Sequence, residues 1–202
     1  MGTCRLTLSL PPDFSFLTGQ YLSVVHPSGT EIPLSIASAP QQLPNLTLHF
    51  QPTPGDALSN AMLDCLEQVQ LMVTAAQGEV RCPPRSESLM VIAGGSGASL
   101  AFACAQHRQD PHNTVVLWCV EDIGEFYDTE HLLAYAELHQ TIDADRSANN
   151  LGLVKLKELA PVDNYILSGS PGFVYAVTDT LLELGVNEAV IQSDVFAYAP
   201  HT

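Results

Sequence analysis

The hydrophobic pattern of the chain changes at Pro83-Pro84, and this change constrains the fold more than any other feature of the sequence. Before the prolines, short β-rich runs alternate with turn residues, which is typical of an antiparallel barrel or sandwich. One helix is predicted directly after Asp56, because an aspartate at this position caps the N-terminus of a helix. Because consecutive prolines cannot continue a central strand, we place a boundary between residues 1–84 and 85–202. The predicted strands of the first part are Leu6–Leu10, Tyr21–Val25, Leu34–Ala37, Leu46–Phe50 and Val69–Val73.

After the prolines, apolar strands alternate with helical segments, which predicts right-handed βαβ units on a parallel sheet. Sheets of this kind bind ligands beyond the carboxyl ends of their strands. The stretch from Leu138 to Leu153 looks too short for a full unit. The predicted strands are Leu89–Ala93, Val115–Cys119, Tyr165–Leu167 and Ala189–Ile191, and the predicted helices are Ser99–His107, Thr129–Glu137 and Phe173–Leu184.

Charge and composition exclude several classes of function. With 22 acidic and 7 basic residues among 202, the formal charge is −15, which disfavours nucleic acid and anionic membranes as partners. The chain shows no apolar run of membrane-spanning length and no secretory signal pattern, so we expect a soluble cytoplasmic protein. Five scattered cysteines and seven scattered histidines favour neither a disulfide framework nor a catalytic metal.

A glycine-rich turn, Gly94-Gly95-Ser96-Gly97, lies between a predicted strand and a predicted helix. Glycines let a pyrophosphate approach the backbone, and a helix N-terminus attracts anions, so a dinucleotide is the expected ligand. The turn does not match G-x-G-x-x-G, and on this motif alone a purely structural turn is an equal alternative. The spacing also excludes Ser96 as a nucleophile in a G-x-S-x-G elbow.

Four motifs, the first of them made of two segments, occur in an order that resembles the ferredoxin reductase superfamily. The segments FLTGQYLSVV at 16–25 and IPLSIASAP at 32–40 resemble its flavin-binding barrel. GGSG at 94–97, SGSP at 168–171 and DVFAY at 194–198 resemble its nucleotide loop, a later turn and its aromatic C-terminus. The similarity is greatest to bacterial NAD(P)H:flavin reductases. It implies an antiparallel Greek-key β-barrel followed by a Rossmann-like parallel-sheet nucleotide-binding domain.

The resemblance implies that reduced nicotinamide passes hydride to the N5 atom of a flavin, FAD or FMN, held in the cleft between the two domains. Catalytic roles fall on Ser35, near N5, and on Ser168, near the nicotinamide. Each candidate also has a structural alternative as a core residue, a strand-end hydroxyl or a packing aromatic. The implied flavin and nucleotide contacts are Pro33, Leu34, Ser35, Ile36, Ser38, Gly94, Gly95, Ser96, Gly97, Gly169, Pro171, Phe196 and Tyr198.

Two departures from the family pattern alter these expectations. Ile32 replaces an arginine of the flavin motif, so we expect a loosely held flavin that acts as a substrate. Glu121 and Asp122 follow the second predicted strand where the flavin reductases carry a Gly-Gly-Arg element. A carboxylate repels a 2′-phosphate and accepts from ribose hydroxyls, which favours NADH over NADPH, although a solvated acidic loop is an equal alternative.

The N-terminus begins late relative to the family, and we expect it to lack the first barrel strand, which an edge strand or strand exchange in a homodimer could repair. Two other functions therefore stay open. One is a binding or regulatory module that has lost catalysis. The other is one component of an electron-transfer complex, whose redox centre a partner protein would supply.

Overall fold

The computed structural model describes residues 2–142, 151–159 and 161–199. Its first part contains β1 (Cys4–Ser9), β2 (Tyr21–Val25), β3 (Glu31–Ser35), β4 (Asn45–Phe50), α1 (Ala57–Leu66) and β5 (Met72–Val73). β1 pairs with β4, and β2 lies between β3 and β5, all antiparallel. A bridge between Ile36 and Leu48 joins the two sheets around one apolar core. These sheets form the predicted antiparallel barrel.

The second part contains β6 (Leu89–Gly94), α2 (Ala98–Arg108), β7 (Thr114–Val120), α3 (Thr129–Leu133), β8 (Glu137–Ile142), α4 (Leu151–Leu159), β9 (Asn164–Ser168), α5 (Pro171–Glu183), β10 (Ile191–Gln192) and α6 (Val195–Tyr198). Its five strands are parallel in the order β10-β9-β6-β7-β8. The order in which successive strands are added to the sheet therefore reverses between β6 and β9, which makes this point the expected ligand crevice. The predicted fold class is confirmed.

Residues of β6 alternate between the two faces of the parallel sheet. Leu89, Val91 and Ala93 pack on the face that carries α2, whereas Met90 and Ile92 pack on the opposite face. α2 is buried along almost its whole length because it lies between the sheet and barrel residues such as Ala37 and Val80. This helix therefore packs the parallel sheet against the barrel.

Several element boundaries differ from those predicted. The strand at 69–73 is reduced to Met72–Val73, and β3 ends at Ser35 rather than Ala37. The helix from Thr129 ends at Leu133, and Glu137 already belongs to β8, an edge strand whose polar residues gave no strand signal. A 3-10 turn at 188–190 precedes β10. Neither β8 nor α4 was predicted, and residues 143–150 of the segment between them lie outside the described residues.

No helix in the described part of the chain has both the length and the apolar character needed to cross a membrane.

Arg108, at the end of α2, is fully buried beside the proline pair. Its guanidinium donates to the Thr114 hydroxyl and to four backbone carbonyls. The carbonyls belong to Pro83, Pro84, Glu87 and Asn113. One side chain thus satisfies the polar backbone of the connecting segment.

We expect Arg108→Met to lower the free energy of unfolding by about 3 kcal/mol, because it leaves several carbonyls without their donors. Urea titration measures the loss. Arg85→Met is the matched control, since Arg85 is exposed and, among the described residues, its side chain donates one hydrogen bond, to the His107 carbonyl. Equal urea midpoints for the two variants would contradict the role assigned to Arg108.

Candidate active site between barrel and parallel sheet

A cavity of about 600 Å³ lies between the barrel and the carboxyl edge of the parallel sheet. Its volume is in the range typical of small-molecule sites. Three parts of the chain line it: the barrel wall, the two loops at the reversal of strand order, and the C-terminal segment. The lining residues are Tyr21, Pro33, Leu34, Ser35, His49, Phe50, Gln51, Gly94, Ser96, Gly97, Ser99, Leu100, Leu167, Ser168, Gly169, Ser170, Ser193, Asp194, Val195 and Tyr198.

The glycine loop after β6 packs directly against the loop after β9. A Cβ atom at Gly97 would lie 2.6 Å from the carbonyl carbon of Ser168, so only glycine fits there. Gly95 has a φ of +54°, and its carbonyl accepts a hydrogen bond of 3.0 Å from the Trp118 indole. Gly95 itself does not line the cavity. The loop is therefore fixed by contacts beneath it, while Gly94, Ser96 and Gly97 face the cavity.

The loop after β9 contributes Ser168 and Gly169 to the cavity. Ser170 also lines it and caps α5 by accepting from the Phe173 amide at 3.4 Å. Pro171 occupies the first turn of α5 and is exposed, outside the cavity lining. Its fixed φ suits the start of a helix, so its role here is to begin α5.

On the barrel side, Pro33, Leu34 and Ser35 line the cavity. Ile36 is 1% exposed in the barrel core, and Ser38 is fully buried, where its hydroxyl accepts from the Thr47 amide at 3.0 Å. The predicted wall therefore ends at Ser35, and neither Ile36 nor Ser38 reaches the cavity.

Ile32, at the position of the family arginine, also lies in the barrel core at 3% exposure. The side chain at this position therefore carries no charge and does not line the cavity.

At the C-terminus, α6 presents one face to the cavity. Val195 and Tyr198, three residues apart, share that face, as helical periodicity requires. Phe196 lies elsewhere and packs against Tyr175, with ring centroids 5.8 Å apart. Of the two predicted aromatics, the structure brings only Tyr198 to the cavity.

The acidic segment after β7 lies outside the cavity lining. Glu121 is exposed, and its backbone amide donates to the Glu125 carboxylate at 3.1 Å. Asp122 and Glu125 form a capping box around the 3-10 turn at 123–125. The carboxylates of Asp122 and Glu125 thus accept hydrogen bonds from backbone amides of this turn.

His49 is the most informative lining residue that the sequence did not single out. Leu46, Leu48 and Phe50 fill the barrel, so the intervening His49 faces the other half of the molecule, against Phe102 at 4.9 Å. Its Nδ1 atom is 2.9 Å from the Tyr127 hydroxyl. Burial, together with Arg5 nearby, lowers the pKa of His49 to about 4. Strand alternation alone could have placed His49 on this outer face.

Asp194 was also missed as an individual site residue. Its carboxylate accepts from the Glu79 amide at 3.3 Å, and burial raises its pKa. No lysine or arginine is among the lining residues of the described chain. Within the same described residues, no cluster of three or more histidine, cysteine or acidic side chains could hold a metal ion. The cavity is therefore uncharged apart from Asp194.

No family model matches the chain. An NAD(P)H-flavin reductase from Aliivibrio fischeri is 26% identical over 188 residues, which cover 82% of this chain and 80% of that protein. The reductase of a carbazole 1,9a-dioxygenase has a TM-score of 0.80 at 18% identity, over 95% of this chain. The flavohem-like FAD/NAD-binding domain of a Vibrio cholerae nitric oxide dioxygenase has a TM-score of 0.75 at 20% identity, over 95% of this chain and 91% of its own length.

An Amycolatopsis cytochrome P450 reductase is similar as well, with a TM-score of 0.75 at 20% identity over 95% of this chain. The chain spans only 64% of the length of that protein and 64% of the carbazole dioxygenase reductase. The resemblance to the ferredoxin reductase superfamily that the motifs predict is confirmed.

Substituting Gly97 tests the packing of the two loops. We expect Gly97→Ala to lower the free energy of unfolding by about 2 kcal/mol, because the new Cβ overlaps the Ser168 carbonyl group. Gly172→Ala is the matched control, since a Cβ at Gly172 meets no atom within 4 Å. Thermal and urea unfolding compare the two. Equal stability of both variants would show that the loops do not pack as described.

A second prediction concerns acid stability. Unfolded chains protonate His49 below its ordinary pKa of 6.5, whereas the folded chain resists protonation until about pH 4. Stability contributed by neutral His49 is therefore complete above pH 6.5 and is lost as the pH falls toward 4. Between about pH 7.5 and about pH 4.5, the wild-type protein should therefore lose free energy of unfolding through His49. We expect this pH-dependent loss to be about 2 kcal/mol smaller in His49→Gln.

Urea midpoints at both pH values measure this effect. The exposed His112→Gln is the control and should leave the pH dependence unchanged. Three charged or titratable groups near His49 also affect its pKa: Arg5 and His131 lower it, and Asp128 raises it. All three are unchanged in both variants. An identical pH dependence in wild type and His49→Gln would contradict the burial of a neutral imidazole.

Proposed function

We propose that this chain, which shares the fold of the ferredoxin reductase superfamily, is an oxidoreductase that passes hydride from a reduced nicotinamide nucleotide to a flavin. The observation that carries the proposal is the cavity, where Leu34 and Ser35 of the barrel meet the glycine loop and Ser168 of the parallel sheet. The similarity to the Aliivibrio fischeri reductase supports the same activity.

In this proposal the protein works mainly by positioning. The flavin, when bound, supplies the electron-accepting chemistry. In the proposal, Leu34 offers an apolar surface to the ring system and the Ser35 hydroxyl contacts its N5 region; the position of both residues in the cavity wall supports these roles. Ser168 lies on the opposite side of the cavity, next to the glycine loop, where it orients the nicotinamide. Holding two rings in contact accelerates transfer without any charged acid or base.

We further propose that the flavin is an exchangeable substrate. Neither lysine nor arginine lines the cavity in the described residues, and Ile32 is buried in the barrel. A flavin phosphate would therefore meet no cation there, and its charged end would stay in solvent. Gel filtration should remove bound flavin from the purified protein. Stoichiometric retention of flavin would contradict weak binding.

For the nucleotide, we propose a preference for NADH. Glu121, Asp122 and Glu125 place three carboxylates after β7, where a 2′-phosphate would be repelled. We expect kcat/KM for NADH to exceed that for NADPH by about tenfold, as one close charge repulsion would produce. Glu121→Gln should narrow the ratio, and Glu31→Gln, an exposed acid of β3, should not. Equal efficiency with both nucleotides in the wild type would refute the preference.

Steady-state assays test the activity itself. NADH oxidation is followed at several concentrations of riboflavin, FMN and FAD. The proposal expects a saturable rate that heat denaturation abolishes. No rate above the heat-denatured control with any of the three flavins would overturn the proposed function.

The Ser35 hydroxyl gives a more specific prediction. We expect Ser35→Ala to lower kcat about tenfold, the effect of losing one hydrogen bond at the reacting ring. Ser28→Ala, in the exposed turn between β2 and β3, is the control and should keep the wild-type rate. A Ser35→Ala enzyme with unchanged kcat would exclude that hydroxyl from the transfer step.

A further inference from the structure

The side chain of Phe173 lies against both loops at the reversal of strand order. Phe173 is the third residue of α5, and its ring is partly buried against the core cluster on that face of the sheet. A Cβ atom built on Gly94 would lie 2.8 Å from the Cδ1 atom of this ring. A Cβ atom built on Gly169 would lie 2.9 Å from the same Cδ1 atom. One phenyl ring therefore fills the space that side chains at both glycines would need.

Packing against this ring explains why position 94 is glycine. Gly94 has a φ of −101° and a ψ of 119°, an extended conformation that any residue adopts. Three ring atoms of Phe173, Cγ, Cδ1 and Cε1, lie 2.8 to 3.0 Å from the place where a Cβ of Gly94 would be. Gly169 differs, because its φ of +152° already favours glycine. At position 94 the requirement for glycine therefore comes from the neighbouring side chain and not from the backbone.

The ring reaches the cavity only through the two loops. β6 and β9 are neighbouring parallel strands, so the loops leave the sheet side by side. Gly94, Ser168 and Gly169 line the cavity. Phe173 lies outside that lining, although it contacts the glycines of both loops.

Loss of the ring would leave a void bordered by two residues without side chains. A packed structure fills such a void only by moving the atoms around it, and it does so incompletely. Glycine backbone has the greatest conformational freedom, so Gly94 and Gly169 would shift first. Ser168 is bonded directly to Gly169 and would move with it. The ring of Phe173 thus holds one side of the cavity at a fixed distance from the barrel wall.

We propose that Phe173 is a positioning residue for hydride transfer, because its ring sets the separation of the two loops and with it the place of Ser168. This inference rests on the proposed function, in which Ser168 orients the nicotinamide. A displacement of about 1 Å between reacting groups can slow a reaction about a hundredfold. Loss of the ring should therefore slow transfer more than it weakens nucleotide binding.

The packing is tested first, in the protein without ligand. Gly94→Ala should lower the urea midpoint of the otherwise wild-type protein, because the new methyl group overlaps the ring. In the Phe173→Ala background, Gly94→Ala should leave the midpoint unchanged or raise it, because the methyl group enters vacated space. Such non-additivity is the mark of a direct contact. Equal losses in the two backgrounds would overturn the contact and the proposal.

Anaerobic stopped-flow measurements with riboflavin and NADH then separate binding from transfer. We expect Phe173→Ala to lower the rate constant of flavin reduction at saturating NADH about tenfold, with less than about a twofold change in the NADH concentration for half-maximal rate. Adding Gly94→Ala to Phe173→Ala should restore part of the rate constant, because the methyl group refills part of the void. Phe173→Leu should show a smaller loss, and it replaces Phe173→Ala in every comparison if that variant does not fold.

Leu181→Ala is the matched control. Leu181 is fully buried in the same core cluster and lies about 12 Å further along α5. Its truncation should lower stability and keep the wild-type rate constant. An equal loss of rate in Leu181→Ala would overturn the proposal, since the effect would then follow from lower stability alone.

The two proposals fail in different ways. A wild-type rate constant in the folded Phe173 variants overturns the positioning role and leaves the proposed function intact. Flavin reduction by the wild-type protein at the protein-free rate overturns the proposed function, and the role of Phe173 with it.

Discussion

The close approach of two loops at the reversal of strand order is the constraint on which the site depends. Gly97 lies so near the Ser168 carbonyl group that no side chain fits between them. This contact brings the carboxyl ends of β6 and β9 together and forms the floor of the cavity. Because parallel strands direct their carboxyl ends to one edge, the glycine loop also lines the cavity at this edge.

The barrel completes the site through the alternation of its strands. On β4, the residues that fill the barrel leave His49 on the outer face, where it meets Phe102 and Tyr127. Burial keeps this imidazole neutral, and Ile32 occupies the barrel core instead of presenting a cation. The result is a cavity wall of apolar and hydrogen-bonding groups, with no lysine or arginine among the described residues that line it.

Local signals predicted the features that depend on local chemistry. The glycine loop, the buried run of β6 and the change of pattern at Pro83-Pro84 all follow from short segments of sequence. Features that depend on packing between distant segments could not be predicted in this way. The orientation of His49, for example, is set by its contact with Tyr127, which lies 78 positions away in the sequence. The position of Phe196 also depends on packing, because its ring lies against Tyr175 and outside the cavity lining, which a short aromatic motif does not reveal.

The central claim is that a reduced pyridine ring and a flavin lie in contact within one cavity, and anaerobic stopped-flow spectroscopy tests it most directly. Protein mixed with riboflavin and NADH should develop a transient long-wavelength charge-transfer absorbance, followed by bleaching of the flavin faster than in the protein-free mixture. Bleaching at the protein-free rate, without that transient, would contradict the account.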